Sequence, residues 1–269
     1  ASVEYDGTSY SGFQIQPARR TIQGELERAV GRITQQFVRV VGAGRTDAGV
    51  HARSQVISFR AQWSHGCGDL RRAMNAVLPR DISVRKVASA YDGFHARFSA
   101  SSRVYVYTIY NGPVRAPLLS RFSHHVGRPL DLTAMAGAAS HLEGEHDFGA
   151  FGHPPSGDST VRVAHCVKWR CGVPTWGKCR GTDSDKLVQF EIEANAFLRG
   201  MVRRIVGTLL LVGAGSLTPA GFSEILESRE LRRAAPVAPA NGLCLWRVRY
   251  GADDGRDGSP ECSWPSAGG

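Results

Sequence analysis

The hydrophobic period of this chain changes from segment to segment, and that alternation restricts it to one class of fold. Residues 103 to 110 alternate, with Tyr105, Tyr107 and Ile109 on one side and Val104, Val106 and Thr108 on the other. That two-residue period is a strand. Strand-like runs recur at 1–6, 55–59, 82–87, 161–170, 187–194 and 243–250. Helical spacing intervenes: Thr21 caps a segment carrying Ile22, Leu26, Val30 and Ile33, and Asp69 one carrying Leu70, Ala73, Met74 and Val77, stopped at Pro79. Asp131 caps a third with Leu132, Met135, Ala139 and Leu142. A long helix is expected over Phe197 to Val212, and another from Pro219 through Leu226. Strands neighbour strands and helices fall between pairs. The order predicts an α+β fold, mainly antiparallel, with helices on one face. It is similar in both halves, so two lobes are expected, 1–98 and 99–251, meeting at a cleft, with a flexible tail at 252–269. The polar stretch Cys171 to Asp185 reads as an exposed loop.

Composition narrows the partners. The chain has 269 residues, enough for a core without disulfide staples. Apolar runs such as Leu209 to Val212 fall far short of a membrane span. The net charge is +9, and only Lys86, Lys168, Lys178 and Lys186 are lysine, leaving 29 of 33 basic residues as arginine. Arginine forks bind phosphate bidentately and stack on bases, so a polyanion such as nucleic acid is the natural partner. Six scattered cysteines do not make a disulfide scaffold. They predict a soluble protein of a reducing compartment, cytoplasm and mitochondrion alike.

One string concentrates the chemistry: Gly42-Ala43-Gly44-Arg45-Thr46-Asp47-Ala48-Gly49-Val50-His51. A dinucleotide fingerprint would need its third glycine where Asp47 stands, and a carboxylate there would face a pyrophosphate. A Gly-Lys-Ser/Thr phosphate loop is missing too, which sets aside a nucleotide-dependent oxidoreductase. What remains is a glycine-framed turn presenting a carboxylate beside an arginine. Alone, such a turn is equally well an Asp side chain capping a backbone amide. His165, Cys166, Cys171 and Cys179 lack the short paired spacings of zinc sites, and no metal or cofactor is expected. Asp47 and His51 lack a serine or cysteine nucleophile to work with. His95, His124 and His125 read as structural or RNA-facing.

Gly44 to His51 resembles the catalytic motif of the TruA-type tRNA pseudouridine synthases, and further segments agree in order. They are Glu4-Tyr5-Asp6-Gly7-Thr8 with Gly12-Phe13-Gln14, Asn75 to Pro79 with Asp81-Ile82, Phe94 to Ala100, Arg103 to Tyr107, Asn195 to Arg199, and Met201 to Gly207. The resemblance implies the pseudouridine synthase fold. It makes Asp47 the catalytic aspartate, Tyr105 the active-site tyrosine and Arg203 the arginine paired with the aspartate. Arg45 aligns with an arginine that holds the target nucleotide out of its stem. Further RNA contacts are expected from Arg19, Arg20, Arg53, Arg97, Arg103 and Arg199, the last one turn before Arg203 on the same helix. The implied reaction converts uridine to pseudouridine without redox change, metal or nucleotide energy. A carboxylate suits it by forming a transient covalent adduct with sugar or base. The implied substrate is the tRNA anticodon stem-loop, at positions 38 to 40, gripped by a homodimer. The alternative is an RNA-binding scaffold of the same fold, for example a ribosome-assembly factor of an organelle working with assembly proteins, with catalysis secondary.

Overall fold

In a computed structural model of the chain, Thr21 caps the first helix as expected. Its side chain accepts the Gly24 N–H, and α1 runs over Ile22–Thr34. Such a cap contributes about 1 kcal/mol. The structure describes residues 1–154, 157–172 and 186–251. The expected tail and most of the expected loop lie outside them. Cys171 and Gly172 instead continue a strand.

Helix α2 spans Cys67–Val77 and its N-cap is Gly66, so Asp69 stands inside the first turn and does not cap. Its carboxylate there still complements the helix dipole. Asp131 does cap α3 (Leu132–Ser140), accepting the Ala134 N–H. Helix α4 begins only at Met201 and ends at Gly213. Gly200 before it has φ 74°, a left-handed backbone that no right-handed helix contains, so Phe197 to Arg199 are not helical. Helix α5 is Pro219–Ser228, capped by Thr218.

The strands are β1 (Ser2–Tyr5), β2 (Val41–Gly42), β3 (His51–Ser58), β4 (Ile82–Lys86), β5 (Ala100–Asn111), β6 (His124–Val126), β7 (Gly144–Asp147), β8 (Val161–Gly172), β9 (Lys186–Ala194) and β10 (Leu243–Tyr250). They form one sheet in the order β4-β1-β3-β10-β5-β9-β8-β7, with β2 on β3 and β6 on β5. The two mainly antiparallel halves are therefore continuous. The closing strand β10 enters between them, parallel to β3 (Cys244 opposite His51) and antiparallel to β5 (Leu245 opposite Tyr105).

The strand alternation separates two faces. Tyr107, Ile109, Phe190 and Ile192 belong to one core cluster with Ile205 and Leu209 of α4. Each such buried side chain contributes about 1.5–3 kcal/mol. Val104, Val106, Gln189 and Glu191 point the other way, into an open groove of about 1260 Å³ shared with Arg53, Lys168, Arg170 and Trp246. No helix among the described residues is long and apolar enough to cross a membrane.

Candidate active site

The loop joining β2 to β3 carries Asp47, and three local devices shape it. The Asp47 carbonyl accepts the Val50 N–H (3.1 Å), closing a turn whose third residue, Gly49, has φ 78°. That position strains any L side chain. The Gln55 amide grips Gly44 from both sides, accepting its N–H (3.2 Å) and donating to its carbonyl (2.7 Å). Thr46 is buried, its hydroxyl bonded to that of Tyr5 (2.8 Å) and its carbonyl accepting the Phe13 N–H (3.0 Å). The backbone on either side of Asp47 is therefore fixed, while the carboxylate itself is free to face outward.

Arg203, in the first turn of α4, places Nη1 3.3 Å from Asp47 Oδ2. Its Nε donates to the Ala238 carbonyl (2.7 Å), so the guanidinium is aimed before any ligand arrives. The carboxylate is 36% exposed and the guanidinium 16%. The anion is thus the more exposed partner and the cation the more buried. Tyr105 lies beneath the loop: a Cβ added to Gly44 would sit 3.5 Å from the Tyr105 hydroxyl and 3.7 Å from Leu245. Phe197 meets the Tyr105 ring edge-on at 4.9 Å and 80°. Burial pushes the Tyr105 phenol well up, and the neighbouring Tyr5 and Asp47 add to this. It is a protonated hydroxyl at neutral pH.

His51 ties the end of the loop to β1. Its Nδ1 accepts the Gly7 N–H (3.1 Å), which assigns the proton to Nε2 and leaves the ring neutral. Asp6 Oδ1, 3.2 Å from the same nitrogen, is therefore no ion-pair partner of the neutral ring. Burial lowers the His51 pKa below its ordinary 6.5, outweighing Asp6. The unfolded chain then binds the proton first. Stability is full above pH 6.5, declines as pH falls through it, and levels off below the folded value. Thermal midpoints measured from pH 7.5 to 5 are expected to fall more steeply for the native chain than for His51→Gln. Equal slopes would refute this assignment.

The structure brings Asp47, Tyr105 and Arg203 together and divides the expected RNA contacts. Arg19, Arg45 and Arg199 are exposed, and Arg97 is half-buried. Arg199 is not on α4. It precedes the helix, its N–H bonded to the His153 carbonyl (2.8 Å). Arg20 is engaged with Glu25 (3.0 Å) and lies over the Tyr10 ring. Arg53 stands over Trp246 in the groove on the far face of the sheet, away from Asp47. Asp47, Tyr105 and Arg203 do not line that groove.

Arg103 corrects the expectation most sharply. It is 9% exposed, so it cannot contact RNA. All five N–H groups go to carbonyls: Nε and Nη2 to Ala43 (3.3 and 3.1 Å), Nη1 to Ala100 (3.2 Å) and Asn195 (2.8 Å), and Nη2 also to Arg97. The sequence reading missed this knot, and missed Gln55, Thr46 and Phe197. Gln55 did leave a signal. It is a polar residue at the same strand parity as the core residue Ile57, and it is fully buried.

A sequence model of the tRNA pseudouridine synthase family matches residues 1–99 and 138–251, which include Asp47 and Arg203 but not Tyr105. The chain is 46% identical over 249 residues to a tRNA pseudouridine synthase A of Chloroflexus aurantiacus, covering 92% of this chain and 87% of the relative. It is 42% identical over 251 residues to that of Roseiflexus castenholzii (93% and 90% covered), and 42% over 250 residues to that of Brevibacillus brevis (92% and 97%).

Proposed function

The chain belongs to the tRNA pseudouridine synthase family and is an isomerase of uridine in tRNA; from that premise we propose that Asp47, Tyr105 and Arg203 perform the reaction on the anticodon stem-loop, at positions 38 to 40. The observation that carries the assignment is the outward carboxylate of Asp47, held 3.3 Å from Arg203 above the Tyr105 phenol.

Isomerisation breaks the bond from ribose C1′ to N1, turns the base, and joins C1′ to C5. The C5 proton leaves and N1 gains one, so atoms and electrons balance without a co-reactant. Asp47 supplies the nucleophile, forming and later breaking a covalent bond to the substrate. Arg203 fixes its direction through the 3.3 Å contact. Tyr105 offers a plane for the uracil and a hydroxyl for proton transfer at C5. The target base must leave its stem, at a cost of a few kcal/mol. Arg45, exposed two residues before Asp47, compensates by holding the extruded nucleotide. Arg19, Arg97 and Arg199 contribute phosphate contacts.

The reading also includes a homodimer. The groove on the far face of the sheet supports it, because three of its cations are paired with carboxylates, as Arg85–Glu4, Arg170–Glu191 and Arg249–Glu193. A partly neutralised aromatic surface is less costly to desolvate against a second copy than a bare cationic one. The scaffold alternative draws on the stretch Cys171 to Asp185, most of which lies outside the described residues, and nothing among the described residues favours it.

The test is nucleotide-resolution pseudouridine mapping of unmodified tRNA transcripts incubated with the protein. Conversion is expected at uridines 38 to 40. Conversion elsewhere in the tRNA would overturn the target, and no conversion in any tRNA would overturn the activity.

A further inference from the structure

Phe98 is 76% exposed and sits on an otherwise tightly bonded turn. The turn is fixed at nearly every backbone group. His95 Nδ1 accepts the N–H groups of both Arg97 and Phe98 (3.2 Å each). Ser99 closes it by accepting the His95 N–H through Oγ (3.1 Å) and donating its own N–H to the His95 carbonyl (2.9 Å). Ala96 is fully buried, its N–H donated to Ser58 Oγ (3.2 Å) and its carbonyl held by the Tyr250 hydroxyl (2.7 Å). The His95 ring stacks on Phe98 with centroids 4.3 Å apart and planes at 25°. Arg97 places its guanidinium carbon 5.4 Å from the Phe98 ring centre. The ring is held by His95 and Arg97 on a rigid support, yet most of it stays open to solvent.

The turn is also connected to the reacting loop. The Arg97 carbonyl and the Ala43 carbonyl are gripped by one guanidinium, that of Arg103, and Ala43 is four residues before Asp47. We propose that Phe98, backed by His95 and flanked by Arg97, is a stacking platform for an unpaired base of the bound RNA, with Arg97 meeting the adjoining phosphate. This rests on the reading of the protein as one that acts on tRNA. A cation beside a stacked aromatic pair suits a nucleotide, because every base has a π-face and every nucleotide a phosphate.

Binding of an unmodified tRNA transcript is measured in the Asp47→Asn background, so that turnover does not enter. Adding Phe98→Ala is expected to weaken affinity about tenfold, the usual scale for losing one base–aromatic stack. Phe98→Tyr is expected to stay within twofold. The salt dependence of binding is expected to be unchanged, since no charge is lost. In the otherwise native chain, Phe98→Ala is expected to raise KM and to leave kcat and the thermal midpoint in place. The proposal is overturned by affinity within twofold for Phe98→Ala, by equal losses for Phe98→Tyr and Phe98→Ala, or by a change of oligomeric mass on Phe98→Ala, which would make the ring a protein contact. Failure of the activity reading looks different: the native chain itself forms no pseudouridine, while the binding comparison stands on its own.

Discussion

Replacing Asp47 by asparagine is expected to lower the single-turnover rate of pseudouridine formation by roughly 10⁴-fold or more, the scale on which removing a nucleophile acts. The side chain keeps its shape and loses only its charge. The loop around it does not depend on that charge, because the 47–50 turn, the Gln55 grip on Gly44 and the Thr46 contacts all run through other groups. What is lost structurally is one partly exposed pair with Arg203, worth at most about 1 kcal/mol. The thermal midpoint is therefore expected to move by no more than a few degrees. RNA affinity is expected to hold or rise, since an anion facing a polyanion has been removed. The measurement pairs rapid-quench pseudouridine assays with equilibrium binding on the same variant. A rate within tenfold of the native chain would remove Asp47 from the chemistry. Lost binding would make its role structural.

The second large effect is on folding. Arg103→Leu is expected to cost about 3 kcal/mol, because one buried and three part-buried carbonyls lose their donor and each unsatisfied group costs about 1–3 kcal/mol before relaxation. For a chain of this size that lowers the thermal midpoint by roughly 6–12 °C. Burial depresses the Arg103 pKa, yet no other side chain supplies five donors in one plane. Arg103→Lys is therefore expected to recover only part of the loss, since one ammonium cannot reach four carbonyls set around a planar fork. Residual activity is expected to fall as well, because Ala43 anchors the Asp47 loop and Asn195 anchors the segment leading to Phe197 and Arg203. A midpoint within 2 °C of the native chain would dismiss the knot as energetically idle.

Much of the fold was legible, and where it was not, specific residues explain the failure. Period-two and helical runs located β9, β10, α1, α3 and α5 because each has one buried face, and β5 because its residues alternate in type although residues on both its faces are buried. The start of α4 was misplaced, since Phe197 and Leu198 continue an apolar pattern that Gly200 interrupts only through its left-handed backbone. Asp69 was read as a cap because two small residues, Cys67 and Gly68, gave no sign that the helix had already begun. The single sheet was invisible because β10 pairs with strands from both halves, a contact nearly two hundred residues long in sequence for Cys244 and His51.

The site shows the same division. From the residues alone came a glycine-framed carboxylate beside an arginine, and the family resemblance added a guanidinium on a helix and a tyrosine on a strand, three chemical types whose identity does not depend on folding. Their convergence was a tertiary event, made by β10 pressing β5 against β3 and by the backbone bonds that hold Arg203 to Ala238. The fate of the arginines was tertiary too: Arg45 faces solvent, Arg53 the far groove, and Arg103 the interior. A sequence states that a side chain carries charge. Whether that charge meets solvent, RNA or a ring of carbonyls depends on which surfaces the rest of the chain covers, and no local pattern encodes that.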